Sequence, residues 1–394
     1  MKLKVLFGLC LMIVCLGNCK IDAAPQKQVM IELPVNLGKI KVLLGKNYEA
    51  ANLEVHGGYK VFDPKTGSKI GKSSAKKQHL LRPTLDGLAW GEAFPGVFQI
   101  ALVPNEKEGY FLLDGIQYSG SLYVYQVGNT INLVNEVPIE EFIKSSLNPK
   151  VNASMHPEAL AAMAIVERTQ AYYHALKNQN AFWHLNAKDI NYQGRGVCGR
   201  NNGVDRAVEL THHLVMKSKA YGIQNGFFNA TFTEHCAGKT APYHLIHRKE
   251  GHTSRNPVDS PLALANRNQT HWSHRIDLDS LAEKIGFENI TGFEVYADSN
   301  TGKVYGMKFQ NKNESVEMDF FKLQSVLGDN QLKSTDFQVL QKDNSLVFDG
   351  YGQGLGVGAC LYTAQEMAKR GHNAAEILDA FFPNTTIAYM DIIK

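Results

Sequence analysis

The sequence reads, from residue 158 to residue 171, Glu158-Ala159-Leu160-Ala161-Ala162-Met163-Ala164-Ile165-Val166-Glu167-Arg168-Thr169-Gln170-Ala171. Apolar side chains recur in it at the spacing of one helix face. No glycine interrupts the pattern from Pro157 through Lys177. The stretch therefore predicts a long helix that begins at Pro157.

A β-hairpin and a short helix are predicted just upstream. Residues 122–126 and 130–134 are rich in β-forming side chains and flank Gly128-Asn129, a pair that favours a tight turn. Pro138 suits the first position of a helix, and the two glutamates that follow it suit the helix dipole.

The rest of the chain predicts a mixture of strands and helices. β-Rich pieces bounded by Gly, Asn or Pro occur at 29–33, 39–44, 53–55, 97–103 and 110–113, and further strands are predicted at 226–234, 292–297 and 303–309. Two final helices are predicted to end at Gly371 and Pro383. These patterns indicate an α+β fold with a β-rich N-terminal region.

The composition excludes some classes of protein. Hydrophobic residues make up 44% of the 394 residues and charged residues 20%, which is typical of a globular chain with a buried core. With 41 basic and 38 acidic residues, the chain is too balanced to indicate binding to nucleic acid or electrostatic attachment to a membrane.

The N-terminus indicates export. Lys2 and Lys4 precede an apolar run over residues 5–16, which resembles a secretory signal and is short for a transmembrane helix. Three fates stay open: cleavage near Ala23, lipidation of Cys19 in a lipobox-like sequence, or retention as an anchor. Residues 1–24 are therefore predicted to be a signal peptide or an N-terminal membrane anchor.

Several motifs occur in the order found in one bacterial family. Besides residues 158–171, the chain carries Asn135-Glu136-Val137-Pro138-Ile139-Glu140-Glu141-Phe142, Cys236-Ala237-Gly238-Lys239-Thr240 and Leu332-Lys333-Ser334-Thr335-Asp336-Phe337. This series resembles the stage II sporulation protein D and amidase-enhancer family (SpoIID/LytB), collinearly over about residues 118–386. The resemblance implies a SpoIID-like domain at 115–394, with mixed sheets and a central helix forming a groove, after a β-rich accessory region at 25–114.

The resemblance also implies a function. Members act on peptidoglycan in the periplasm or cell envelope during division or sporulation. Some are lytic transglycosylases, which cleave glycan strands to 1,6-anhydro products, and others activate an N-acetylmuramoyl-L-alanine amidase. No cofactor is implied for these activities, and no nucleic acid partner.

The expected catalytic acid is missing. The family's catalytic glutamate lies eight residues before the position of Glu158, and that position is Lys150 here. A lysine side chain, with an ordinary pKa of about 10.4, is a poor proton donor at neutral pH unless burial lowers that pKa. Glu158 and Glu167 are the substitute acids, with structural roles as the alternatives; they lie about half a turn out of phase on the helix and cannot form one carboxylate pair.

Other site residues are carried over from the resemblance. Arg168 is predicted to hold substrate oxygens or to form a structural ion pair, and Tyr192 to stack on a sugar or to pack. The remaining substrate-binding candidates are Cys236, Lys239, Thr240 and Gln353.

The cysteines leave two alternatives open. Cys198, Cys236 and Cys360 remain after the signal region, so at most one disulfide can form among them. Cys198 and Cys236 are predicted either to pair as a disulfide or to contribute with His235 and His244 to a zinc site.

Two hypotheses follow. The first is a lytic transglycosylase whose acid has moved. The second is a non-catalytic relative that grips peptidoglycan or recruits an amidase, which is favoured by Lys150 and by Leu355 and Leu361, where the family has histidine and glutamine. The retained scaffold motifs favour the enzyme by a small margin.

Overall fold

The protein is described here by a computed structural model covering residues 38–73, 77–105, 109–152, 154–199, 202–219, 226–248 and 257–390. The predicted signal or anchor at 1–24, the strand at 29–33 and Cys19 lie outside these residues. Among the described residues, no helix combines the length and the apolar character needed to cross a membrane.

The strands of the described residues, numbered in chain order, are β1 (Lys39–Tyr48), β2 (Ala51–His56), β3 (Tyr59–Phe62), β4 (Lys69–Ser73), β5 (Lys77–Thr84), β6 (Gly87–Trp90), β7 (Glu92–Pro95), β8 (Gln99–Pro104), β9 (Tyr110–Leu113), β10 (Ile116–Ser119), β11 (Ser121–Val127), β12 (Thr130–Pro138), β13 (Leu185–Asn186), β14 (Leu214–Ser218), β15 (Phe232–Thr233), β16 (Trp272–Asp277), β17 (Gly292–Ala297), β18 (Val304–Gln310), β19 (Ser315–Asp319), β20 (Asp336–Lys342), β21 (Ser345–Tyr351), β22 (Ala359–Cys360) and β23 (Thr385–Tyr389). The helices are α1 (Ile139–Leu147), α2 (Pro157–Lys177), α3 (Ala187–Ile190), α4 (Asn202–Leu210), α5 (Tyr243–His247), α6 (Pro261–Ala265), α7 (Leu278–Ile285), α8 (Phe320–Leu327), α9 (Leu361–Lys369) and α10 (Ala374–Phe381), and a 3-10 turn spans Asn148–Lys150. The α+β prediction is confirmed, as are the long helix from Pro157 and the hairpin around Gly128-Asn129, which is β11–β12.

Two large sheets hold the first half of the described chain. Their strand orders are β13-β1-β12-β11-β8-β3-β4 and β10-β9-β2-β5-β6-β7. Strand β2 shows why these segments pair: Ala51, Leu53 and Val55 are buried while the side chains between them are more exposed. Strands β1 and β8, from the predicted accessory region, pair with β12 and β11. The predicted boundary at residue 114 therefore does not divide the sheet.

Helix α2 lies at the centre of the larger hydrophobic core. Its alanines Ala159, Ala162 and Ala164 are fully buried, and it contacts α1, α4, α9, α10 and β14. Because apolar residues surround this helix rather than forming one stripe, it is buried on all sides. Small alanine side chains allow these neighbours to approach closely.

A second hydrophobic cluster forms the later part of the chain. Sheets β16-β21-β20 and β17-β18-β19 pack with α7 and α8 around the buried rings of Trp272, Phe320 and Phe348. The strands predicted at 292–297 and 303–309 correspond to β17 and β18 and are confirmed within one residue.

The strand predicted over 226–234 is wrong in extent. Only β15 is regular, pairing in parallel with β22, and His235 forms an isolated bridge with Gln353. The reason is that this segment packs against the glycine-rich loop at residues 352–358 rather than against a continuous strand. A Cβ added at Gly352 would lie 2.6 Å from the His235 carbonyl oxygen, and one added at Gly358 would overlap the Thr231 carbonyl.

We predict that Gly358→Ala destabilises the protein more than Gly371→Ala does. Both glycines have positive φ, +79° and +93°, so both substitutions strain the backbone. Only at Gly358 does the added methyl meet Thr231, since nothing lies within 4 Å at Gly371. Denaturant unfolding should show a further loss on the order of 2 kcal/mol for Gly358→Ala. Equal losses would contradict the close approach of the loop.

Candidate functional site

Lys150 and Glu167 form a short ion pair. Lys150 ends the 3-10 turn after α1, and its Nζ donates to Glu167 Oε1 on α2 at 2.6 Å. The Glu167 side chain is only 3% exposed and that of Lys150 23%. The Lys150 ammonium also lies 5.8 Å from the ring centroid of Phe232 on β15. Two of the predicted catalytic candidates are therefore brought together, as partners of each other.

A polar face of α2 continues from this pair. Gln170 Nε2 donates to Asn229 Oδ1 at 3.1 Å, and Asn229 Nδ2 donates to the Tyr243 hydroxyl at 2.5 Å. His174 also hydrogen-bonds Asn229. Glu167, Gln170 and His174 are spaced three and four residues apart, so they share one face of the helix. Sequence reasoning missed Gln170, His174 and Asn229, although this spacing on an otherwise buried helix was the available signal.

His174 is held in its neutral form. Burial, followed by the positive charge of Lys177, lowers the pKa of His174 from an ordinary 6.5 to about 4. A neutral imidazole can donate at one ring nitrogen and accept at the other, which suits a hydrogen-bonded network rather than an ion pair.

Glu158 lies apart from this site. Its Oε2 accepts from the backbone nitrogen of Ala374 at 2.8 Å, at the start of α10. It thus satisfies a free N–H group at a helix terminus, which is the structural alternative considered for it. Its separation from Glu167 agrees with the predicted phase difference along α2.

Arg168 is not available to a substrate in this structure. Its side chain is fully buried, and its guanidinium makes a bidentate ion pair with Glu140, with Nε–Oε1 at 2.9 Å and Nη2–Oε2 at 2.7 Å. It also donates to the carbonyls of Val208 and Leu214. The substrate-binding prediction is corrected to the structural alternative, in which the ion-pair partner of Arg168 is Glu140.

Tyr192 is also corrected from sugar stacking to packing. It is 6% exposed, and its hydroxyl donates to Asn135 Oδ1 at 2.8 Å. Its ring packs against those of Tyr118 and Phe142. Burial raises the pKa of its hydroxyl well above the ordinary value, so the phenol stays protonated as a donor.

The four predicted binding residues near the glycine loop differ in exposure. Cys236 and Thr240 are buried, and Thr240 Oγ1 accepts from the Val258 nitrogen at 2.8 Å. Lys239 pairs with Asp259 at 3.2 Å, and Gln353 is exposed. Lys239 and Gln353 are therefore the two whose side chains reach solvent.

Leu355 and Leu361, which stand where the family has histidine and glutamine, pack against apolar neighbours. Leu355 lies against two of the hydrophobic clusters, and Leu361 is 8% exposed within the main core. Apolar contacts therefore stand at the two positions where the resemblance places a histidine and a glutamine.

Cys198 and Cys236, which are predicted to form a disulfide or to share a zinc site, have different neighbours in the structure. Cys198 Sγ lies 3.2 Å from Ser145 Oγ, whereas the Cys236 nitrogen donates to Cys360 Sγ at 3.4 Å. All three cysteines are free in the described part of the chain. A Cys198–Cys236 disulfide is therefore corrected to a neighbouring Cys236–Cys360 thiol pair.

The predicted zinc ligands are likewise dispersed. His244 is exposed on α5, and His235 Nδ1 accepts from the Ala237 nitrogen. Over the described residues, the group with metal-ligand spacing is instead Glu140, His212 and His213. Because both Glu140 oxygens are bound by Arg168, this group has a structural explanation without an ion.

Glu234 is an acid that sequence reasoning did not select. It follows β15 two residues after Phe232, and its side chain is exposed. Partial burial raises the pKa of its carboxyl group above the ordinary value.

Comparison with known proteins now adds to this geometry. The family model SpoIID, described as a stage II sporulation protein, matches residues 127–217, which include Lys150, α2 and Arg168. The SpoIID/LytB resemblance is confirmed. An amidase enhancer of Bacillus subtilis is 25% identical over 291 residues, covering 62% of this chain and 40% of that protein.

Two further relatives are uncharacterised proteins. An uncharacterised protein of Brachyspira hyodysenteriae is 26% identical over 358 residues, covering 89% of this chain and 93% of the relative. An uncharacterised protein of Chlamydia muridarum is 36% identical over 180 residues, 45% of this chain. The chain spans 62% of the length of that chlamydial protein.

We predict that Arg168→Met strongly destabilises the protein. The substitution leaves Glu140, whose side chain is 18% exposed, without its cation and removes the buried guanidinium's bonds to two carbonyl groups, which costs about 3–5 kcal/mol. Lys144→Met, which removes a lysine paired with the largely exposed Glu209, is the control and should cost about 1 kcal/mol or less. Thermal unfolding of both variants measures the difference, and a small effect of Arg168→Met would contradict its structural role.

We also predict that acid weakens the fold through His174. Since its pKa is about 4 when folded and 6.5 when unfolded, the unfolded chain binds more protons between these values. The stabilisation is complete above about pH 6.5 and is lost as the pH falls towards 4, on the order of 2 kcal/mol. Denaturant unfolding at pH 7 and pH 4.5 should show a smaller pH effect in His174→Gln than in the control His244→Gln. An unchanged slope would contradict the assignment.

Proposed function

We propose that this protein works at the bacterial cell wall as a non-catalytic, peptidoglycan-binding partner of an N-acetylmuramoyl-L-alanine amidase. The observation that carries the proposal is the Lys150–Glu167 ion pair at the position where the SpoIID resemblance places the catalytic acid. The name of the Bacillus subtilis relative, amidase enhancer, supports the amidase partner.

The ion pair is poorly suited to general acid catalysis. A general acid must come within hydrogen-bond reach of the glycosidic oxygen. Glu167 is 3% exposed and its Oε1 already accepts from Lys150, so a sugar cannot approach it without displacing the lysine. If Lys150 gave up its proton instead, Glu167 would be left as a buried charge without a cation, at a cost of about 3–5 kcal/mol.

Lys150 and Glu167 can be understood as two linked substitutions relative to the family. Where the family carries a glutamate and a small residue, this chain carries Lys150 and Glu167, and the lysine and glutamate contact each other. Such a pair replaces a proton donor with an ion pair that carries no net charge and whose two groups already bind each other.

The cellular location is part of the proposal. The Lys2 and Lys4 signal pattern supports export to the periplasm or cell envelope, with cleavage, lipidation or anchoring as alternatives. In this proposal the chain works in the compartment that holds peptidoglycan, where division or sporulation remodels the wall.

Lytic transglycosylation is the second candidate, and Glu234 is the observation in its favour. Its exposed carboxyl has a raised pKa and follows the strand whose Phe232 ring faces Lys150. In that mechanism, Glu234 would give its proton to the glycosidic oxygen and then take one from the sugar's 6-hydroxyl group.

The deciding experiment treats purified sacculi with the protein, alone and with an N-acetylmuramoyl-L-alanine amidase. We expect no 1,6-anhydro products by mass spectrometry from the protein alone. We also expect the amidase to release stem peptides severalfold faster with the protein than without it. The double variant Lys150→Glu and Glu167→Ala restores the family's residues and tests whether the pair is what blocks cleavage.

Two results would overturn the proposal. Anhydro products that persist in Glu167→Gln but vanish in Glu234→Gln would establish the second candidate. An amidase rate that does not change with the protein would remove the partner role.

A further inference from the structure

An open cleft on the first sheet is lined by aromatic rings from separate segments. Its volume is about 520 Å³, and the rings belong to Phe98 between β7 and β8, Tyr125 on β11, and Phe182 and Trp183 after α2. Phe98 is 50% exposed and Phe182 61%. Two large rings so exposed beside one cleft are a typical mark of a binding surface.

The rings are held in place by contacts with one another and with neighbouring residues. Tyr125 and Phe182 meet edge to face with centroids 4.9 Å apart, and Lys46 Nζ lies 4.7 Å from the Trp183 ring. The Phe98 carbonyl accepts from the Gln126 nitrogen, which ties Phe98 to β11. The aromatic surface is therefore already formed before any ligand arrives.

Polar groups of both signs surround these rings. Asp63 and Lys65 lie at one side, and the carboxamides of Gln99 and Asn132 also line the cleft. Asp63 accepts from the Lys65 nitrogen and from the Thr66 hydroxyl, so its carboxylate is fixed. One acid and one base leave the lining without net charge, which suits an uncharged ligand rather than an anion.

We infer that this cleft is a saccharide-binding site, separate from the Lys150–Glu167 pair, and that it takes N-acetylated amino sugars of a glycan strand. A sugar ring offers C–H groups that pack on aromatic faces and hydroxyl or amide groups that bond to carboxylate and carboxamide side chains. The volume lies within the usual range for small-ligand sites, about 300–1,000 Å³. The identity of the glycan rests on the proposed function, whereas the saccharide chemistry rests on the cleft.

The chain provides its own reporter for a test. Its three tryptophans are Trp90, Trp183 and Trp272, of which Trp90 and Trp272 are buried. Titration of the full protein with a soluble β-1,4-linked N-acetylglucosamine tetramer should change Trp183 fluorescence and saturate. Calorimetry of the same titration measures the affinity independently.

Phe182→Ala should weaken binding about tenfold, the usual scale for removal of one stacking ring. Tyr389→Ala is the matched control, because Tyr389 is also 61% exposed but lies on β23, and it should bind as the wild type does. Equal melting temperatures would show that both variants are folded.

Absence of tetramer binding by the wild type, or equal binding by wild type and Phe182→Ala, would overturn this inference. Capture of a protein by the cleft with no saccharide affinity would overturn it too. These outcomes are independent of the amidase assay: a failed cleft with a stimulated amidase leaves the proposed function standing, and tetramer binding without amidase stimulation leaves the saccharide site standing.

Discussion

The fold depends on one buried cation. Arg168 has no exposed surface, yet it joins four elements: α2 carries it, Glu140 of α1 neutralises it, and carbonyls of α4 and of β14 accept from it. A guanidinium in a core is tolerated only when its charge and its N–H groups are satisfied together. Its position therefore fixes how α1 and α4 pack on α2, and with them the turn that ends at Lys150.

That constraint also determines what Glu167 can do. Consecutive residues on a helix point about 100° apart, so the side chain beside Arg168 must leave the α1–α4 side. It meets Lys150, which the 3-10 turn after α1 places within 2.6 Å. The two ion pairs, Arg168–Glu140 and Lys150–Glu167, thus hold α2 against α1 and against the turn that follows α1, and each pair joins a buried side chain to a partly exposed one.

The sequence predicted what depends on local pattern. The start of α2 at Pro157, the hairpin turn at Gly128-Asn129 and the bounds of β17 follow from periodicity and turn residues. Local pattern could not predict partners that are distant along the chain. Glu140 lies 28 residues from Arg168, and Cys236 contacts Cys360 rather than Cys198. The aromatic cleft could not be predicted, because its rings come from separate segments that only the folded sheet brings together.

The proposed function separates recognition from cleavage, and the chemistry of the molecule is distributed accordingly. Where a proton donor is expected, Lys150 and Glu167 form an ion pair with each other. Leu355 and Leu361 pack against apolar neighbours where the family has polar side chains. The exposed rings lie elsewhere, between β7 and β8 and after α2, and Tyr125 among the cleft's rings lies on β11, which pairs with β12. A rigid sheet that carries a preformed aromatic surface gains affinity because little has to be ordered on binding. Holding a glycan strand for another protein to process requires that surface and no titrating acid.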